Sequence, residues 1–397
     1  MSTQAARVER RVLSERGTIA LVYAAGVSAG MALGRFIPLS SAVRGDFGLS
    51  LAEFGWLVSG ITVVGAALAL PAGLWIARGD LGRVLGAGLA VMLLGGILEI
   101  VSPSVLLLYT ARMLEGCGYL LVVITGPLVL AARCAPSTER GALALWSTFI
   151  PVGMALASAA GTLNGVLGWR LTAVLTVVPA VAPLIGALTR LASTGTGTGT
   201  NGANRRPAES GGLRPVLWLS VSFSLIALLG VTAIALLPDL ADHRGVPAAV
   251  GSATTAAVSL ASVPGGLAAG VLMHRGFTPR RLAVAALAMP CAAVVIYQVS
   301  PWAAIAAGAA ALMAANGLVL AALYASMPTL AHSPYALRRG YGLLNQAGCL
   351  GSLFGPPVFA FAVTHIGWAA ATVLVTLISM VGLALFWTAT RTAAAPG

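Results

Sequence analysis

The chain has 397 residues, 58% of them hydrophobic and only 9% charged, with a mean hydropathy of +0.93; no water-soluble fold keeps so many apolar residues with so few charges to solvate its surface. The 23 basic residues are all arginine and the net charge is +12, but they fall in short loops suited to an anionic leaflet, which argues against nucleic acid as a partner. The composition predicts an all-α membrane protein.

Twelve apolar runs are long enough to span a bilayer. They lie near 19–40, 53–77, 81–100, 104–132, 141–165, 169–190, 214–238, 247–273, 281–299, 302–330, 340–363 and 366–390. With the N-terminus inside, 18 of the 23 arginines fall on the cytoplasmic side, so both termini are expected there. Arg35, Arg44, Arg170 and Arg244 fall at the other face, and Arg112 is buried. The first run, preceded by Arg7, Arg10 and Arg11, is too long for a signal peptide and is followed by eleven more, so it reads as a span.

Gly26, Gly30 and Gly34 place a small-residue stripe on the first span, a surface another helix can approach closely. Arg35 follows; it either snorkels to the interface or joins Arg112 in lining an outward-facing cavity. Ser50 and Glu53 have capping-box spacing at the start of the second span, a structural feature. The stretch from Gly73 to Arg83, GLWIARGDLGR, forms a basic turn between spans two and three.

The fourth span contains TARMLEGCGY, from Thr110 to Tyr119. At 1.5 Å per residue, Arg112 lies roughly 12 Å and Glu115 roughly 16 Å into the hydrocarbon. Ionised groups at that depth survive only against a partner, water or the bundle interior. Three residues apart, the two share a helix face and can bridge each other or serve a solute. Gly116 and Gly118 remove bulk beside them.

The fifth span carries Trp146, Ser147, Thr148, Pro151 and Gly153, and the eleventh carries Asn345, Gln346, Gly348, Gly351, Gly355, Pro356 and Pro357. Such Pro and Gly clusters mark bends. Asn316, Asn345 and Gln346 are intramembrane amides suited either to a solute or to interhelical hydrogen bonds. Cys117, Cys134, Cys291 and Cys349 show no metal or redox spacing and read as small packing residues.

Between the halves, LASTGTGTGTNGANRRPAESGG is a flexible polar linker, reaching about 25 Å as a random coil. The expected division is a bundle over 1–190, a linker over 191–213 and a bundle over 214–397. Gly73, Arg78, Gly79 and Arg83 recur as Gly270, Arg275, Gly276 and Arg280, 197 residues on. Arg140-Gly141, Gly118 and Gly168-Trp169 recur as Arg339-Gly340, Gly317 and Gly367-Trp368, each 199 residues on. Repeated order at nearly one shift predicts duplication of a six-helix unit.

Twelve spans in two repeated halves, a basic turn after span two, and Arg112-x-x-Glu115-Gly116-Cys117-Gly118 in span four together resemble the major facilitator superfamily of secondary transporters. That resemblance implies two pseudo-symmetric six-helix bundles, a small-molecule substrate, a proton as coupling ion, a lipid bilayer of the bacterial inner-membrane type, and a monomer without cofactor. It implies a proton or substrate role for Arg112. It also implies gating roles for Gly73, Arg78, Asp80, Arg83, Gly270, Arg275 and Arg280, with Asp80 standing in because Ala77 occupies the family's aspartate position.

Two modes of transport are open. In the first, Arg112 and Arg35 attract an anionic solute, helped by Asn316, Asn345, Gln346 and Trp146, and Glu115 exchanges a proton. In the second, a drug or metabolite is exported through a site lined by Tyr109, Tyr119, Tyr297, Tyr324 and Trp146. The chain has no Lys for a phosphate loop, no H-E-x-x-H and no G-x-S-x-G, which speaks against an ATP-driven pump or hydrolase.

Overall fold

The computed structural model describes residues 3–76, 80–135, 138, 142–143, 145–146, 148–191, 213–330 and 334–392. Among these, eleven helices are long and apolar enough to cross a membrane. They are α1 (Glu15–Phe47), α2 (Leu51–Ala72), α3 (Leu81–Val101), α4 (Val105–Arg133), α6 (Asn164–Thr189), α7 (Arg214–Ala235), α8 (Ala248–His274), α9 (Pro279–Gln298), α10 (Trp302–Met327), α11 (Gly340–Ile366) and α12 (Ala369–Arg391). A shorter apolar helix, α5 (Phe149–Gly161), takes the fifth place. The first residues of that expected run, with most of the linker and Arg78, lie outside the described residues.

Local chemistry sets the helix starts. Ser50 and Glu53 close a reciprocal capping box on α2, with Ser50 N donating to Glu53 Oε2 at 2.8 Å and Glu53 N to Ser50 Oγ at 3.2 Å. Asp80 caps α3 by accepting from Gly82 N at 2.9 Å and Arg83 N at 3.2 Å. The first regular helix ends at Gly34; a 3₁₀ turn, Ile37–Leu39, then leads to the short helix Ser40–Phe47. That last segment forms a hook over the end of the bundle.

The glycine stripe of α1 packs on α5. A methyl group on Gly30 would sit 2.5 Å from the Phe149 carbonyl oxygen and 3.0 Å from Gly153 Cα, so these backbones touch directly and no larger residue fits. Inside the membrane such contact replaces the hydrophobic effect as the source of helix association.

The repeat is written into the backbone. Gly48 and Gly245, 197 residues apart, have φ of 67° and 69°; Gly168 and Gly367, 199 apart, have φ of 74° and 103°. These left-handed conformations suit glycine. The tryptophan after each second glycine meets the hook of its own half, Ser40–Phe47 in the first and Leu237–His243 in the second: Trp169 Nε1 donates to Asp46 Oδ2 at 2.5 Å, and the Trp368 ring lies 5.9 Å from that of His243.

The halves join along α2–α11 and α5–α8. A methyl on Gly55 would meet Pro357 Cα at 2.9 Å, one on Gly65 would meet Cys349 Sγ at 2.8 Å, and one on Gly342 would meet Leu70 at 2.8 Å. Gln346 Nε2 donates to the Ala66 carbonyl at 2.8 Å, a direct hydrogen bond from α11 to α2.

Candidate functional site

Arg112 on α4 engages all five of its N–H donors. Nε donates to the Leu57 carbonyl at 3.2 Å; Nη1 donates to the Ala32 carbonyl at 2.9 Å and Glu115 Oε2 at 2.7 Å; Nη2 donates to the Leu33 carbonyl at 3.2 Å and the Val58 carbonyl at 3.1 Å. These carbonyls come from the end of the α1 helix at Gly34 and from the place where α2 slips into a 3₁₀ turn, Gly60–Thr62. Helix ends leave carbonyls without helical partners, and their partial negative charge suits a guanidinium. The Phe36 ring closes one side, 5.0 Å from the guanidinium carbon.

Around that fork lies a four-charge cluster. Arg35 Nη2 lies 2.7 Å from Glu115 Oε1, Arg35 Nη1 donates to Glu99 Oε2, and Arg35 Nε donates to Thr176 Oγ1 at 2.8 Å. Arg112 Nη1 lies 3.6 Å from Glu99 Oε1. Both carboxyl groups thus face the same two guanidinium groups. Arg35 is 2% exposed and the other three are fully buried. Two cations and two anions sum to zero, which makes so deep a burial tolerable.

Close backbone approach makes room for it. A methyl on Gly95 would lie 2.6 Å from Glu115 N, one on Gly96 would lie 3.1 Å from both terminal nitrogens of Arg35, and one on Gly116 would lie 2.5 Å from the Ile61 carbonyl oxygen. Helices α1 to α4 are thus drawn onto one buried charge cluster.

Arg35 therefore does not snorkel: it turns inward onto Glu99, Glu115 and Thr176. Glu99 had no part in the sequence expectation. Its signal was the charge count, because two buried arginines with one glutamate leave a cation uncompensated.

The other expected site residues are scattered. The Trp146 ring fills the space above Gly26 and Gly126 and stacks at 4.6 Å on Phe149, inside the first half. Asn316 Nδ2 donates to the Ile226 carbonyl at 2.7 Å, tying α10 to α7. Tyr109 donates to the Glu53 carbonyl at 2.7 Å, and Tyr297 stacks on Trp368 at 6.0 Å. Asn345, half-buried on α11, has no hydrogen-bond partner among the described residues. Gly73 lies in the last turns of the second-span helix. Asp80 pairs with Arg83 at 3.5 Å within its own turn. Arg275 is exposed at the end of α8, Gly270 faces open space, and Arg280 donates to Thr390 Oγ1 of α12 at 2.7 Å.

At the face opposite the basic turns, the halves meet through a latch. Ser40 Oγ donates to Asp239 Oδ1 at 2.7 Å, and Arg44 Nη1 donates to the same oxygen at 3.1 Å. Ser40 and Asp239 stand 199 residues apart, the repeat spacing, so equivalent positions of the two hooks touch. Burial pushes the Asp239 carboxyl above the ordinary aspartate range, against the opposite pull of Ser40 and Arg44 and with help from Asp242. A raised pKa means that the closed form binds the proton more tightly than the open, solvated form. Closure is then favoured at low pH and weakens as pH rises through that value. Spin labels at Ser41 and Asp242 are expected to show a larger short-distance population at pH 5 than at pH 8. Asp239→Asn should hold the short distance at both, and a parent distribution unchanged by pH would remove the latch from the titration.

The sequence model described as Major Facilitator Superfamily matches residues 20–330. Among solved structures, a bacterial homologue of the human lysosomal transporter Spinster, in an inward-facing and occupied conformation, superposes with a TM-score of 0.77 at 16% identity, covering 94% of this chain and 96% of that one. A D-xylose–proton symporter superposes with a TM-score of 0.74 at 13% identity, covering 94% and 97%. At such identities the likeness is one of fold. No curated protein sequence matches the chain.

Proposed function

The chain belongs to the Major Facilitator Superfamily of secondary transporters, and from that premise we propose that it couples the movement of a small organic solute to a proton held between Glu99 and Glu115. The carrying observation is that Arg112 ties this carboxyl pair to the end of the regular α1 helix at Gly34 and to the 3₁₀ turn within α2. These helices also hold the second half, α2 through α11 and α1 through the latch at Asp239.

A proton taken up by the pair leaves one guanidinium without its counter-charge. The cluster then favours hydration or rearrangement, and the end of α1 at Gly34 and the 3₁₀ turn of α2 move with it. In this reading the bundles of 1–190 and 214–397, joined by 191–213, rock about the solute, with the basic turns and both termini at the cytoplasm. Anion recognition by Arg112 finds no support in the geometry, because none of its donors is free for a solute.

Proteoliposomes with a trapped pH dye test the proposal against panels of sugars, carboxylates, neutral aromatics and lipophilic cations. At least one class is expected to drive proton movement that Glu115→Gln abolishes. A class that stabilises the purified protein and exchanges across the vesicle wall, yet moves no protons, would overturn proton coupling.

A further inference from the structure

Between the halves, on the side of the basic turns, aromatic side chains from four helices converge. The Tyr324 ring of α10 meets Phe223 of α7 edge-on at 5.0 Å and lies near-parallel to Tyr341 of α11 at 6.0 Å. Tyr119 of α4, in the other half, lies near Tyr324 and Cys349. Cys349, Asn345 and Tyr341 fall at four-residue intervals along α11, so they share one face.

Tyr119 and Phe223 are buried in the core and Tyr341 packs against it, whereas Tyr324, between Phe223 and Tyr341, keeps 40% of its surface exposed. The Asn345 amide and the Tyr119 and Tyr324 hydroxyls make no hydrogen bond among the described residues. Polar groups left without protein partners beside a partly open ring are free to serve a ligand. The ring and hydrogen-bond partners of Tyr324 and Tyr341 among the described residues are aromatic or backbone groups, and Arg112 of the first half has its donors spent.

We propose that this cleft of Tyr119, Phe223, Tyr324, Tyr341, Asn345 and Cys349 is the solute site, and that it takes an uncharged, planar aromatic molecule bearing hydrogen-bonding substituents. The assignment rests on the transport reading above and names the substrate class for it. Tyrosine and phenylalanine rings supply faces and edges for a second aromatic ring. Asn345 and the phenol hydroxyls supply neutral donors and acceptors, which fix orientation without demanding a charge. A charged solute would enter this site without a counter-ion and pay its full desolvation.

Equilibrium binding of radiolabelled 1-naphthol to the full chain in nanodiscs tests this, with three competitors of similar ring size: 1-naphthoate, 1-naphthylmethylammonium and decahydro-1-naphthol. Saturable naphthol binding is expected, with each competitor at least about tenfold weaker, the scale of one aromatic contact or one lost hydrogen bond. Tyr324→Leu and Asn345→Ala should each weaken naphthol about tenfold, and Tyr324→Phe, which keeps the ring, by no more than about threefold. Equal or tighter binding of naphthoate or the ammonium, or binding indifferent to Tyr324→Leu and Asn345→Ala, would overturn the assignment. Binding needs no gradient, so the two proposals fail separately. Saturable, Tyr324-dependent naphthol binding without solute-driven proton movement keeps this site and sinks coupling. Proton movement driven only by a charged solute keeps coupling and sinks this site.

Discussion

Arg112→Ala is expected to leave almost no folded protein to purify. The substitution strips four backbone carbonyls of their donor and leaves Glu115 and Glu99 sharing Arg35 alone. Removing one partner from a buried ion pair costs about 3–5 kcal/mol, and native proteins hold only about 5–15 kcal/mol in total. Arg112→Lys is the more informative variant. Lysine restores the charge but offers three donors from a single point where the arginine fork reaches five acceptors. It should fold, with its melting midpoint well below the parent's in detergent, read by the fluorescence of the eight tryptophans. An Arg112→Ala protein that melts with the parent but no longer binds solute would return Arg112 to the role of a solute ligand.

The same residues show what could be read from the chain alone. Arg112 and Glu115 were legible as a pair because spacing fixes neighbours on one helix face. Glu99 was not, because the partners of a residue near the end of a span depend on which helix lies beside it. Here that depends on Gly95 and Gly96 letting α3 touch the Glu115 backbone and the Arg35 guanidinium. Arg35 was left between two readings for a related reason: an apolar run that ends beside it suggests an interface, while its partners Glu99, Glu115 and Thr176 come from other helices.

The duplication was legible through glycines, since Gly168 and Gly367 must both adopt a conformation that disfavours other residues. What the halves do differently was harder to see. Where α4 has Arg112 and Glu115, α10 has Ala311 and Ala314, 199 residues on. The charged cluster belongs to the first half alone, while most rings of the aromatic cleft belong to the second. A repeat sets the scaffold of both halves, and the departures from it carry the chemistry.

Neutralising either member of the carboxyl pair is expected to abolish solute-driven proton movement while leaving solute exchange within about threefold of the parent, roughly half of one tenfold step in free energy. In Glu115→Gln, the oxygen that accepts from Arg112 is kept in shape but not in charge. Two guanidinium groups then face Glu99 alone, and a lone carboxylate between two cations gains nothing by taking up a proton. Glu99→Gln leaves Glu115 in the same position, held by Arg35 and Arg112 at 2.7 Å each. Exchange survives because it returns the carrier without net proton transfer, so the assay separates coupling from binding and from folding. The pair of variants also decides between one carboxyl and two. Loss in Glu115→Gln with normal coupling in Glu99→Gln would confine the proton to Glu115, the single site the sequence suggested. Loss in both would assign the proton to the pair, since both carboxyl groups face the same two guanidinium groups. The pair sits where the regular α1 helix ends and where α2 slips into its 3₁₀ turn, so under the proposed coupling its charge state acts on the helices that hold the two halves together.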